Sequence, residues 1–262
     1  MKKIITQFVT ISLIIILLFI YNKDIKYNLV IVVKDFIYNV IPSMFPIIFI
    51  SNFIKYKILN KMNNKYLYYL SLIFSYAPSN GIIAVNSKDL LLSSIINPLY
   101  SYIMIKNIFN SKMAIVIVLT NLLINYILLF LNIRRNNYRF SINHEKNKSI
   151  NEIISITISI IINILGVIIF FNIVISLFNI FLKKELLFFI EINNGFNIIS
   201  NINKRIMKLL LITFLNSFGG VAIYYQIKSI NNDANYKFFI NKIFYAVIIT
   251  ILTFIIMKGL YL

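Results

Sequence analysis

The residues of this chain best suited to chemistry are Glu191, Asn193 and Asn194, set as Glu191-Ile192-Asn193-Asn194-Gly195 in an otherwise apolar neighbourhood. A carboxylate at membrane depth is costly, so it points to a proton or cation site, or to an acceptor for a substrate. The competing assignment is a glutamate at the membrane surface, paired with Lys183 or Lys184. Two further clusters interrupt apolar runs: Ser75-Tyr76-Ala77-Pro78-Ser79-Asn80-Gly81, and Asn216-Ser217-Phe218-Gly219-Gly220. Pro78 and Gly81 are expected to open a gap in a helix. Backbone N–H groups around Ser79, Asn80 and Gly81 would then start a half-helix, where an anion is favoured. An ordinary loop between two short hairpin arms is the alternative. Gly219 and Gly220 permit positive φ and close backbone approach, or simple helix packing, and Gln226 follows them.

Asn97-Pro98 interrupts another apolar run, and Pro42-Ser43-Met44-Phe45-Pro46 lies inside the segment 28–54. Two prolines so close together are expected to kink or break that helix, freeing carbonyls for a substrate, an ion or a neighbouring helix. Asp35 and Glu152 lie near the starts of long apolar segments, where capping and dipole roles are expected. His144 falls in a charged link. The sequence holds no P-loop, no zinc-ligand spacing and no nucleophile–base pair, so neither an enzyme nor a metal or cofactor is expected.

Only a membrane bundle could position these groups. The chain of 262 residues is 60% hydrophobic and 13% charged, whereas soluble domains are about a quarter charged. Apolar segments run approximately 4–21, 28–54, 66–86, 90–109, 113–133, 152–182, 186–202, 206–228 and 237–257. A crossing helix takes about 20 residues. Several segments reach that length; 66–86, 90–109 and 186–202 carry breaks and are expected to be discontinuous or re-entrant. Cysteine is absent, which excludes disulfides and thiolate metal sites.

A net charge of +18 would suggest nucleic acid in a soluble protein. Here Lys and Arg sit mostly in short links, where they set orientation, and no nucleic-acid partner is expected. Met1-Lys2-Lys3 precedes an apolar run to Tyr21 with no small-residue cleavage site, which favours a retained first helix over a signal peptide. Lys2 and Lys3, the cluster Lys55, Lys57, Lys61 and Lys65, and the cluster Arg134, Arg135, Arg139, Lys146 and Lys148 are all assigned to the cytoplasm, as is the N-terminus. The stretch 66–133 must then cross an even number of times, so one of its three apolar segments, most simply 90–109, does not cross.

The polar link 134–151 divides the chain. We read 1–27 as an N-terminal helix and link, 28–133 as a first membrane repeat, 134–151 as a basic cytoplasmic link and 152–262 as a second repeat. The polar breaks align between the halves, and an odd number of crossings between corresponding elements would make an inverted repeat. The fold class expected is therefore all-α: a polytopic integral membrane protein, an inverted repeat with discontinuous or re-entrant helices.

Four motifs in order resemble the YlbJ-type sporulation integral membrane proteins of the nucleoside-recognition (Gate) domain group. Ile41-Pro42-Ser43-Met44-Phe45-Pro46 is similar to that family's Pro-Ser-Leu-Phe-Pro motif, and Ser75 through Gly81 to its Ser-Gly-Tyr-Pro stretch. Asn97-Pro98-Leu99-Tyr100 resembles its Asn-Pro-Leu-Phe. Glu191 through Gly195, with Ser217-Phe218-Gly219-Gly220-Val221-Ala222 and Gln226, resembles Glu-Leu-Thr-Asn-Gly and Ser-Phe-Gly-Gly followed by Gln. The resemblance covers roughly residues 28–262. Ala77 departs from it, standing where the family has an aromatic residue before proline. The resemblance implies a multi-pass protein of the bacterial cell membrane, placed in the outer forespore membrane, that moves dipicolinic acid during endospore formation.

The expected activity is alternating access for a small organic anion. Pro78, Ser79, Asn80, Gly81, Asn97, Gly219 and Gly220 would bind it, with Asn193, Asn194 and Gln226 adding hydrogen bonds and Glu191 coupling a proton or cation. Membrane lipid and the organic anion are the expected partners. A nucleoside or nucleobase transporter of the same architecture, and a non-transporting scaffold of spore-envelope assembly, remain open at this point.

Overall fold

The computed structural model describes residues 22–59, 65–135, 147–178 and 188–261. The apolar segment 4–21, His144 in its link, and Lys183 and Lys184 lie outside the described residues. Regular structure among the described residues is helical, joined by an isolated parallel bridge between Ala77 and Ile96. Five helical stretches are long and apolar enough to cross a membrane: Ile25–Leu59, Ser111–Leu131, Ile150–Leu177, Arg205–Ile230 and Tyr236–Gly259. This is a multi-pass membrane protein.

The distribution of side chains explains why. In the long helix α7, Ser111–Arg135, one stripe of Ile115, Leu119, Leu123, Ile127 and Phe130 is exposed. Ala114, Ile117, Asn121 and Asn125 face inward. Helical spacing of three or four residues sorts these two faces. Water would reverse the pattern; lipid accepts the outer stripe and drives the amides into the bundle.

The first span is one continuous helix with two widened turns. Helix α1, Asn22–Asp35, passes through a π turn at Phe36–Val40 into α2, Ile41–Phe53, and a second π turn follows at Ile54–Leu59. The break expected at the prolines is not where the helix changes. Pro42 occupies the first turn of α2, where a missing N–H costs little, and Pro46 lies within the helix. The irregularity is the π turn just before them, a form that often marks functional positions.

Four short helices follow: α3 at Lys65–Phe74, α4 at Asn80–Ile83, α5 at Ser87–Leu92 and α6 at Pro98–Ile108. None is long enough to cross alone. Asn86 caps α5 by accepting from the Lys88 and Asp89 N–H groups, and Asn97 caps α6 by accepting from Leu99 N–H, with Pro98 at the first helical turn. The Ala77 N–H donates to the Ile95 carbonyl at 2.7 Å, closing this irregular region on itself.

The second half begins with α8, Ile150–Phe178. Ser149 and Glu152 form its capping box: the Glu152 carboxylate accepts the Ser149 N–H at 2.6 Å, and Ser149 Oγ accepts the Glu152 N–H at 3.3 Å. Glu152 thus takes the capping role expected of it. A turn at Phe188–Ile190 leads into α9, Ile192–Ser200. The fourth span is two helices, α10 at Arg205–Phe218 and α11 at Gly220–Ile230, and the chain continues into α12, Tyr236–Tyr261.

Gly219 and Gly220 have φ of 80° and 82°, the left-handed region that favours glycine. The 188–190 turn rests on this break: Ala222 N–H donates to the Ile190 carbonyl at 2.9 Å, and a Cβ on Gly220 would stand 3.1 Å from that same oxygen. Gly166, in the middle of α8, has nothing within 4 Å of an added Cβ. We expect Gly220→Ala to destabilise the protein by about 1–3 kcal/mol through backbone strain and the lost close approach. Gly166→Ala should be neutral or stabilising by about 0.5–1 kcal/mol. Thermal unfolding of both variants in the same detergent checks the contrast.

Candidate functional site

The turn at the Gly219–Gly220 break places Glu191 in the interior. Its residue is 2% exposed, and its carboxylate caps α9 by accepting the Asn194 N–H at 3.0 Å and the Asn194 side-chain amide at 3.2 Å. The burial places Glu191 inside the protein, and Lys183 and Lys184 lie outside the described residues. The Asn194 amide also donates to Asn172 Oδ1 at 3.2 Å, reaching α8, and Asn172 donates to the Ile168 carbonyl one turn back.

Asn193 extends the network in the other direction. Its Oδ1 accepts the Tyr100 hydroxyl from α6, and its Nδ2 donates to Asp35 Oδ2 at 3.4 Å. Asp35 also accepts from Asn39 Nδ2 at 2.6 Å, across the π turn. The capping role expected of Asp35 is therefore corrected: it is the last residue of α1, and its carboxylate serves the interior network instead. Two carboxylates, Asp35 and Glu191, are thus linked through neighbouring asparagines, and no Lys or Arg among the described residues bonds to either.

Helix α6 holds this network to the first half. Asn97 Nδ2 donates to the Ser43 carbonyl at 2.9 Å, in the turn between Pro42 and Pro46. A carbonyl in the proline-rich turn is thus used, by a neighbouring helix. One turn after Asn97, Tyr100 reaches Asn193 and Ser101 Oγ donates to Asn216 Oδ1 in α10. Helices α1, α6, α8 and α9 therefore meet at one polar centre, with α10 joined through Ser101.

The first-half break forms a separate contact with α11. Pro78, Ser79, Asn80 and Gly81 are all buried. Some of the N–H groups expected to be free for an anion are bonded within the turn: Asn80 N–H donates to Tyr76, Gly81 N–H to Pro78 and Ile82 N–H to Ser79. In a turn this tight the preceding carbonyls are the nearest acceptors. Gly219 N–H donates to the Leu215 carbonyl at 2.7 Å. Two buried side-chain oxygens have no donor. Asn80 spends its Nδ2 on the Leu90 carbonyl and Ser93 Oγ, leaving Oδ1 without a donor, and Gln226 Oε1 is also buried without one.

These two residues sit at one interface. A Cβ on Gly81 would lie 3.3 Å from Ile230 Cγ2, and the Asn231 amide donates to the Gly81 and Ala84 carbonyls at 3.1 and 2.9 Å. Gln226 lies one helical turn before Ile230, on the side of α11 that meets α4.

Of the residues read from sequence, Glu191, Asn193 and Asn194 share one centre, docked against Gly219 and Gly220. Asn80, Gly81 and Gln226 share a second. Asn97 ties the first half to the first centre without joining its hydrogen bonds. Sequence reasoning missed Asp35, Tyr100, Asn172 and Asn216 as partners. Asn172 had a visible signal, a strong hydrogen-bonding side chain inside the very apolar segment 152–182.

Asn97→Ala should cost about 1–2 kcal/mol for the cap alone, and more for the Ser43 carbonyl left buried. Asn97→Ser keeps a capping oxygen but loses the amide donor to Ser43. We expect it to fall between wild type and alanine in thermal unfolding, an ordering that fails if only the cap matters.

No family model, curated protein or solved structure matches this chain.

Proposed function

We propose that the chain is a membrane transporter for a small organic solute, with dipicolinic acid during endospore formation as the first substrate to test. The observation that carries this reading is the polar centre where broken helices of an apolar bundle meet: Glu191 and Tyr100 are buried, and Asn193, Asn194 and Asp35, half-buried, join them. Ionisable groups inside membranes face the bundle interior and mark substrate or ion paths. Discontinuous helices at mid-depth are the usual framework of such sites. Glu191 and Asp35 would carry the coupling proton or cation between them. The free oxygens of Asn80 and Gln226 would accept from the solute.

The dipicolinate assignment and the outer forespore membrane rest on the motif resemblance; the inverted repeat rests on the matched polar breaks, the re-entrant element at 90–109 on crossing parity, and the cytoplasmic N-terminus on the placement of Lys and Arg. A second reading, a nucleoside or nucleobase as substrate, is favoured by one specific observation. The polar centre holds two carboxylates with no cation bonded to them among the described residues, which suits a neutral solute rich in N–H and O–H groups better than a dianion.

Flux into proteoliposomes separates these readings. We expect saturable uptake of labelled dipicolinate that Asn80→Ala and Glu191→Gln each reduce about tenfold or more, the equivalent of 1.4 kcal/mol. Competition by uridine with no dipicolinate flux would move the substrate to nucleosides. Absence of flux for both, in protein shown to be folded, would favour a membrane scaffold.

A further inference from the structure

Three charged residues are buried among the described side chains, and one has no partner. Asp89 accepts from the Tyr68 hydroxyl at 3.0 Å and the Asn86 amide at 2.7 Å. Glu191 caps α9. Lys242, fully buried in α12, makes no hydrogen bond and no ion pair through its Nζ. Its nearest described ring is Phe238, one turn back, with the centroid 6.0 Å from the amine. Phe238 in turn stacks on Tyr224 of α11 at 6.3 Å.

Among the described residues nothing neutralises it. Helix α12 packs against α10, α7 and α5. The acidic residue of α5 is Asp89, which is committed to Tyr68 and Asn86. Helix α10 carries basic groups, Arg205 and Lys208, near its start, and α7 has no acidic residue. Along the same side of α12, Tyr245 donates to Asn125 Oδ1 at 2.5 Å and Thr253 to Asn121 Oδ1 at 2.8 Å. The polar groups following Lys242 on this side are therefore paired across to α7, and the amine alone is not.

An unpaired ammonium in an apolar interior is among the most expensive arrangements a protein can hold. Lys242 does not extend to the exterior of the protein: its amine stays inside. We propose that Lys242 is an anion-binding residue, its amine taking the charge of a small inorganic anion or carboxylate admitted between α5, α10 and α12. This deepens the transporter reading by supplying the positive charge that the acidic centre lacks, and it rests on that reading only for the choice of carboxylate probe.

Binding to purified full-length protein in detergent tests it apart from transport. Thermal unfolding is followed against chloride and against dipicolinate, each in a low-salt zwitterionic buffer, for wild type, Lys242→Met, Lys242→Gln and Lys242→Arg. Wild type should be stabilised saturably by at least one probe. Lys242→Met and Lys242→Gln should weaken that binding about tenfold or more, and Lys242→Arg should keep much of it. Removing the buried charge should also raise the anion-free unfolding temperature of Lys242→Met. A response to chloride alone assigns an inorganic anion, and a response to dipicolinate alone assigns a carboxylate.

Equal stabilisation of wild type and Lys242→Met would overturn the role of Lys242 while leaving the transporter reading intact. No saturable stabilisation of wild type by either probe would overturn the proposal outright, whether or not the variants fold. Loss of dipicolinate flux with anion binding preserved would count against the transporter reading alone.

Discussion

The structure depends on one constraint: every helix end inside an apolar bundle must find its hydrogen-bond partner within the protein. Lipid supplies none. This chain has many such ends, because its polar breaks divide what could have been uninterrupted spans. Short side chains meet the demand. In the interior, Asn86, Asn97 and Glu191 each accept an N–H at the start of a following helix; Asn110, Ser149 and Asn235 cap helix starts in the same way at exposed positions. The high asparagine content, which could reflect nucleotide composition alone, has a structural use at these positions. The same residues keep their second functional group available, so a cap can also be part of a network, as Asn97 is when it reaches Ser43.

The breaks themselves were legible because proline and glycine act locally. Pro98 fixes its own φ and lacks a donor, and the Gly219–Gly220 pair permits positive φ, so the interruptions at 97–98 and 219–220 could be read from the residues. The apolar spans were equally plain, since lipid selects for length and hydropathy rather than for particular contacts. Pro42 and Pro46 were harder to read. The first proline lies where a helix tolerates it, and the irregular turn lies just upstream in Phe36–Val40, a stretch without proline or glycine.

The wiring of the polar centre was not legible. Asp35 and Asn193 are 158 positions apart, and Tyr100 and Asn193 are 93 apart. Nothing local marks such pairs. Asp35 reads as an ordinary helix-terminal acid until the fold brings α9 beside it. Lys242 was hidden for the opposite reason. In a chain with 26 Lys and Arg residues it looked like one more surface charge, and only its burial sets it apart.

Helix α11 joins the two sequence-flagged regions mechanically. At its start, Ala222 is bonded to the turn that carries Glu191; at its end, Ile230 and Asn231 grip the turn that carries Asn80. Between them run 11 helical residues, about 16 Å of rod. A rod gripped at both ends cannot tilt at one without displacing the other. The left-handed glycines at 219 and 220 separate this rod from α10. The acidic centre and the Asn80 turn are therefore not independent sites but the two loads on a single beam.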